Sequence, residues 1–201
     1  MKRILIGYII DGKTGGIDHY LMNVLEQIAL YGRDLQIDFL TNRITPQLKN
    51  NISGYKSNVY EVATLKHPIK QLKQTLHVIK KNKYDITYFN ISTALNCIGA
   101  ISAKICGVRK RIIHSHASGI DEENKIYRAF LNFFNAIGRV FLYRQGTDFC
   151  ACSVIAGRWI FPKKIVTGSD FKVIKNTVDI DKFVFSSSKR KIIREKLALG
   201  D

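Results

Sequence analysis

The chain has 201 residues, 46% of them hydrophobic, and a mean hydropathy of −0.06, which fits a globular protein with a substantial core, as one large domain or two small ones. No apolar run reaches the roughly 18 residues a membrane-spanning helix needs, so none is expected. Lys and Arg number 32 against 16 acidic residues, a net charge of +16, and this excess points to a polyanionic partner: nucleic acid, an anionic membrane surface or a phosphorylated substrate.

In chain order, the opening "MKRILIGYIIDGK" resembles a secretory leader only superficially. Its apolar run is broken by Asp11 and no small-residue cleavage site follows, so a buried strand over residues 3–10 is expected instead. Residues 17–31 carry Ile17, Tyr20, Leu21, Val24, Leu25 and Ile28 at helical spacing, with Gly32 as the stop. Strands follow at 35–41 and 57–63. A long helix spans 65–83, with Leu65, Ile69, Leu72, Leu76 and Ile79 as its apolar stripe and Lys66, Lys70, Lys73, His77 and Lys80 on a polar stripe beside it. A strand over 84–90, "YDITYFN", leads into a small-residue helix over 93–107. The segment "RKRIIHSHA" reads as a fifth strand ending in two histidines.

A helix over roughly 123–145 holds much of the aromatic content: Tyr127, Phe130, Phe133, Phe134, Phe141 and Tyr143. Aromatics at helical spacing belong to a core more often than to a surface, and a core role is expected here; with Arg128, Arg139 and Arg144 the segment is also a candidate for membrane contact. "DFCACS" is a sixth strand, with Ser153 placed to cap a helix over 154–161. "FKVIKN" is a seventh, and "SSSKRKIIREKLALGD" gives a polar linker and a short basic helix. This alternation predicts an α/β fold, a Rossmann-like parallel sheet with helices on both faces. The cysteines Cys97, Cys106, Cys150 and Cys152 lack a disulfide-type or metal-type spacing, which implies reduced, packing thiols and a cytoplasmic location.

In such a sheet ligands sit outside the carboxyl ends of the strands. Two features fall there. The loop "DGKTGG" ends at Gly15 and Gly16 as a helix begins, where bare backbone and unpaired N–H groups can receive a phosphate; its spacing matches neither the dinucleotide fingerprint nor the P-loop. A plain turn is the competing reading. In "RIIHSHASG" the pleat puts Ile113 and Ser115 on one face and His114 and His116 on the other. His114 reads as a hydrogen-bonded strand histidine, while His116, at the strand end, can enter the crevice.

Taken in order, "GGIDHYLMNVLEQI…IDFLT", "YDITYFN", "RIIHSHASG", "DFCACSVIAGRWIF" and "FKVIKNTVDIDKF" resemble the N-terminal half of a GT-B glycosyltransferase of family 4, of the kind found in bacterial capsule and exopolysaccharide biosynthesis. The resemblance runs from Arg3 to about Leu199. It implies residues 1–185 as a GT-B N-terminal, acceptor-side domain, and 186–201 as a linker and basic helix toward a C-terminal nucleotide-sugar domain absent from this sequence. By the same resemblance Gly15 and Gly16 lie near the donor diphosphate, and His116 sits beside the transferred sugar, where it orients hydroxyls and stabilises an oxocarbenium-like transition state. Asn176 and Asp179 match a structural turn. The implied substrate is a UDP- or GDP-linked sugar, the acceptor a saccharide or lipid-linked saccharide, and no metal or cofactor is implied.

Departures from the family pattern are also plain. "YFN", Tyr88 to Asn90, stands where the family often has H-x-H, Thr177 replaces a turn glycine, and Lys175 stands where proline is frequent. No pair of glutamates seven residues apart occurs, so the donor half of the site must come from a further domain or a partner chain, and this chain alone is expected to be weakly active or inactive. Lys66, Lys70 and Lys73 are candidates for the acceptor or membrane side, consistent with a peripheral position at the inner face of the cell membrane. Two other readings compete: a non-catalytic acceptor-binding or membrane-recruiting subunit, and a basic nucleic-acid-binding protein. The last ranks lowest, because no nucleic-acid recognition motif is present. A lysine-rich composition, with lysine outnumbering arginine roughly two to one, accounts for part of the charge without any partner.

Overall fold

The computed structural model describes residues 1–10, 12, 13, 15–31, 34–176 and 184–199. Asp11, Gly32, Thr177 and Asp179, which figure in the sequence reading, lie outside the described residues. Short runs rich in Ile, Phe and Val form seven strands: β1 Lys2–Gly7, β2 Leu35–Thr41, β3 Val59–Glu61, β4 Ile86–Ile91, β5 Lys110–Ser115, β6 Asp148–Ala151 and β7 Phe171–Val173. All pair in parallel in one sheet, ordered β3-β2-β1-β4-β5-β6-β7. The order reverses between β1 and β4, which opens a crevice at the carboxyl ends of those two strands.

The helices are α1 Gly15–Leu30, α2 Pro46–Ile52, α3 Pro68–Asn82, α4 Ile98–Ile105, α5 Lys125–Leu142, α6 Val154–Ile160, α7 Lys163–Val166 and α8 Ser187–Lys196. The pleat divides the sheet's side chains between two cores. On one face Leu5, Leu40, Phe89, Ile91 and Ile113 pack with Val78 and Ile79 of α3, Ala100 and Ala103 of α4, Leu142 of α5 and Ile160 of α6. On the other, Ile6, Ile37 and Phe39 pack with Leu21 and Leu25 of α1 and Leu48 and Ile52 of α2. The expected Rossmann-like architecture, with helices on both faces, is the one observed.

One buried charge organises the edge of the sheet. Asp38 on β2 is fully buried and accepts hydrogen bonds from the Tyr84 hydroxyl at 2.7 Å, the Gln36 amide at 2.9 Å, and the Asn58 backbone N–H and side-chain amide at 3.0 and 2.9 Å. Arg3 adds an ion pair at 3.4 Å. Burial pushes the carboxyl pKa up, but the Tyr84, Gln36 and Asn58 donors together outweigh it and hold the group below its ordinary range.

The cap expected at Ser153 is observed. Ser153 accepts from the Ala156 N–H and starts α6, and Asn124 accepts from the Ile126 and Tyr127 N–H groups and starts α5. Helix α2 escaped the sequence reading, although Thr45 caps it and Pro46 follows at its first position.

Two expectations about helix faces are corrected. Helix α3 buries Gln71, Thr75, Val78 and Ile79, while Leu65 and Ile69 are exposed. Proline 68 starts the helix later than expected, and Gln71 turns inward to donate to the Tyr8 hydroxyl at 3.1 Å. The aromatics of α5 are not core: Phe130, Phe133, Phe134 and Phe141 are all exposed, because the helix meets the domain through Asn135, Gly138 and Leu142.

Candidate functional site

Strand β1 ends at Gly7, earlier than its apolar run suggests, and residues 8–10 leave the sheet toward α1. The Asp18 carboxylate, buried in the first turn of α1, accepts from the Ile10 N–H at 3.1 Å and the Gly12 N–H at 2.8 Å. These contacts fold the loop back over the helix start. Gly15 opens α1 with φ of +79°, a conformation that favours glycine. A Cβ on Gly15 would meet no atom within 4 Å, and one on Gly16 would meet only the Asn176 amide nitrogen, at 3.8 Å. Both glycines therefore face open space at the crevice rather than a packed neighbour.

Opposite them lies a polar cluster built from the ends of β4 and β5. Parallel register sets Asn90 beside His114, and the shared face of the pleat brings the His114 and His116 rings together, tilted by 42° with centroids 4.0 Å apart. His116 leaves the strand with its N–H bonded to the Ile91 carbonyl at 2.9 Å, and its Nε2 pairs with the Asn90 Oδ1 at 2.8 Å. His114 Nδ1 is hydrogen-bonded to the Tyr88 hydroxyl, which is 2.9 Å from the hydroxyl of Tyr20 on α1. Tyr88 and Asn90, the residues that replace H-x-H, thus each hold one of the two histidines. Tyr20 also packs against both rings.

The cluster is neutral. Burial pushes the His114 pKa down to about 3, helped by the neighbouring His116. Burial likewise lowers His116 to about 4, against a smaller upward pull from the Asn176 side chain. In the unfolded chain both histidines titrate near 6.5, so below that pH the unfolded state binds more protons and stability falls. We expect thermal stability to drop as pH is lowered from about 7 toward 4, by at most about 1.4 kcal/mol per pH unit per histidine. Melting curves of the chain and of His114→Asn in this range check it: the variant's curve should be flatter, and equal slopes would refute the assignment.

Several buried polar atoms of this cluster have no hydrogen-bond partner: His116 Nδ1, His114 Nε2, Asn90 Nδ2 and, nearby, Gln71 Oε1. Buried polar groups are normally satisfied, and two of these residues, Asn90 and Gln71, line a crevice where a ligand can complete their bonding. Next to them a cavity of 480 Å³ is lined by Tyr8, Asn42, Gln71, Asn90, Ser92 and Asn96 among others. Its walls set amides and hydroxyls, which hydrogen-bond sugar hydroxyls in both directions, among the aliphatic side chains of Ile10, Ile17, Leu65 and Ile98.

Of the residues singled out in the sequence, Gly16 and His116 are brought together across Asn176, and Gly15 adjoins them. Lys66 also lines the cavity, whereas Lys70 and Lys73 lie farther along the exposed face of α3. Sequence reasoning missed Asp18, Gln71 and the bonding role of Asn90. The only signal for Asp18 was an acid in the first turn of a helix, where the dipole favours it.

No protein-family model matches the chain. It is 23% identical over 208 residues to the Bacillus subtilis (strain 168) protein named "Putative glycosyltransferase EpsF", a match that covers 99% of this chain and 50% of that protein. Among solved structures it resembles Anabaena Alr3699/HepE in complex with UDP, with a TM-score of 0.63 and 20% identity, over 98% of this chain and 50% of that one. It also resembles the UDP-GlcNAc 2-epimerase from Neisseria meningitidis bound to UDP-GlcNAc, with a TM-score of 0.60 and 10% identity, over 100% of this chain and 54% of that one. The chain thus spans about half the length of the proteins it matches, and its fold is that of one GT-B-type Rossmann-like domain.

Proposed function

We propose that this chain is the acceptor-side half of a retaining, family 4-type glycosyltransferase. It moves a hexosyl group from a UDP- or GDP-linked sugar to a saccharide or lipid-linked saccharide in surface polysaccharide biosynthesis. The observation that carries the reading is that Asn90 and Gln71, each with a buried polar atom left unbonded, line one cavity, and that Asn90 holds His116, which Asn176 joins to Gly16. The similarity to EpsF supports it.

In this reading the bond from the anomeric carbon to the diphosphate oxygen breaks, and the acceptor oxygen bonds to the same carbon. The acceptor proton passes to the departing diphosphate. The α1 start and its glycines face the diphosphate, where backbone N–H groups and the helix dipole stabilise the developing charge. His116 is held neutral, so it orients the donor hydroxyls instead of removing a proton. Gln71, Asn90 and Asn96 position the acceptor in the cavity, and Lys66, Lys70 and Lys73 form the basic approach to it. The nucleotide is held by a second Rossmann-like domain, in the same polypeptide or in a partner.

The test uses the protein that combines this chain with its donor-binding half, and follows UDP or GDP release from nucleotide-sugars in the presence of saccharide acceptors. Gly16→Val should lower kcat/KM for the donor by about tenfold or more, the size expected when a group is forced out of an anion cradle. The melting temperature should be unchanged, since the new side chain meets open space. Full activity in that variant would reduce the loop to a turn, and no release from any nucleotide-sugar would overturn the reading.

A further inference from the structure

Two buried amides in the wall of the 480 Å³ cavity are each bonded at one end only. Gln71 is 3% exposed and Asn90 5%. Gln71 donates its Nε2 to the Tyr8 hydroxyl at 3.1 Å, and Asn90 holds His116 through its Oδ1 at 2.8 Å. What remains is one acceptor, Gln71 Oε1, and one donor, Asn90 Nδ2, both without a partner. Neither side chain is free to turn elsewhere without giving up the bond it has. Gln71 sits in the first turn of α3, its N–H bonded to the His67 carbonyl at 2.9 Å, and Asn90 lies in β4, in register with His114. The pair is therefore already fixed for a ligand that donates to Gln71 and accepts from Asn90.

The rest of the wall is largely apolar. Ile10, Ile17, Leu65 and Ile98 line the same cavity, and Ile10 and Leu65 are 60% and 40% exposed there. Lys66 is the only charged residue among the described ones that line it. The volume of 480 Å³ falls within the range of about 300–1,000 Å³ typical of small-molecule sites. A ligand suited to this wall is neutral, offers a donor and an acceptor, and carries a small apolar group.

Few sugar substituents meet all three demands. A hydroxyl donates and accepts but gives the isoleucines and Leu65 nothing to cover. The methyl of a deoxy sugar covers them but bonds to neither amide. A carboxylate has no proton for Gln71 Oε1, and an ammonium has no lone pair for Asn90 Nδ2. An acetamido group has the N–H, the carbonyl oxygen and the methyl together.

We propose that this cavity recognises an acetamido sugar, an N-acetylated aminohexose, as the acceptor. Its N–H donates to Gln71 Oε1, its carbonyl accepts from Asn90 Nδ2, and its methyl lies among the aliphatic side chains. The proposal rests on the reading of this cavity as the acceptor site and narrows that site to one class of sugar. Asn90 then has two tasks, since one end holds His116 and the other reads the acceptor. A correctly seated acceptor thereby steadies the histidine assigned to the donor sugar.

The experiment is a nuclear magnetic resonance titration of the 201-residue chain, labelled with ¹⁵N, using the methyl glycosides of N-acetylglucosamine, N-acetylgalactosamine, glucosamine, glucose, galactose and rhamnose. The acetamido sugars should shift the side-chain NH₂ signals of Asn90 and Gln71, and bind at least about tenfold more tightly than the matching hexoses. Gln71→Leu should bring the acetamido sugars down to the level of the hexoses. Because that change also removes the donor to Tyr8, Leu65→Ser serves as a second variant at an exposed position. It should keep its melting temperature and weaken the acetamido sugars about threefold relative to the hexoses, through loss of the methyl contact. Equal binding of glucose or rhamnose, no binding of any of these sugars by the folded chain, or an undiminished acetamido preference in Leu65→Ser would overturn the proposal. The titration contains no donor, so it is separable from glycosyl transfer. An assembled enzyme that releases nucleotide with no regard to the acetamido group would overturn this proposal alone, whereas acetamido binding without any release would overturn the transferase reading alone.

Discussion

Replacing His116 with alanine, in an enzyme containing this chain and its donor-binding half, is expected to lower turnover by at least about tenfold. The loss should fall mainly on kcat, with a smaller change in donor KM, because the imidazole acts where charge develops on the sugar. Its pKa of about 4 adds a second signature. The group stays neutral throughout the physiological range, so the pH dependence of kcat should show no ascending limb near 6.5 that disappears in the variant. Alanine leaves Asn90 Oδ1 without its 2.8 Å partner, so a modest fall in melting temperature is expected as well. Turnover equal to that of the parent enzyme would remove His116 from the site.

A second large effect is structural. Asp38→Ala should destabilise the chain by about 3–5 kcal/mol, because it strands buried donors that now converge on one carboxylate. Tyr84 and Asn58 lose their acceptor and Arg3 loses its counter-charge. Chemical denaturation measures this directly, and a loss below about 1 kcal/mol would show that the network relaxes into alternative partners. The pH dependence separates this group from the histidines. Its folded pKa is lowered, so its stabilisation is fully present above the unfolded value of about 3.9 and is lost as pH falls through the lower, folded value. The histidine effect begins near 6.5 and precedes it.

The parallel sheet is legible because β-branched runs alternate with helical periods, and period-two alternation by itself puts His114 and His116 on one face. The position of His116 just past β5 followed from the same count. The sequence was silent where a polar residue turns inward. Gln71 and Thr75 carry α3 into the domain, Asp38 sits fully buried within β2, and Asn135 anchors α5. Periodicity reveals which side of a helix is greasy, and the inference that this side faces inward holds only when burial decides orientation. On α5 the hydrogen bond from the Ala94 N–H to Asn135 and the close contact at Gly138 decide it instead. The short helix α2 was announced by Thr45 and Pro46, and was missed for lack of an apolar stripe rather than for lack of a cap.

The way α5 is attached bears on how its exposed face can diverge. Asn135, Gly138 and Leu142 tie the helix to the domain, while positions such as 126, 130, 133 and 137 contribute little to folding. Mutation can therefore explore the outer face almost without penalty to the native state, exchanging aromatic for aliphatic or polar side chains as the surroundings demand. The anchor positions have no such freedom. One helix thus carries a constrained inner seam and an adaptable outer one, and the same scaffold can be refitted to a different surface without being rebuilt.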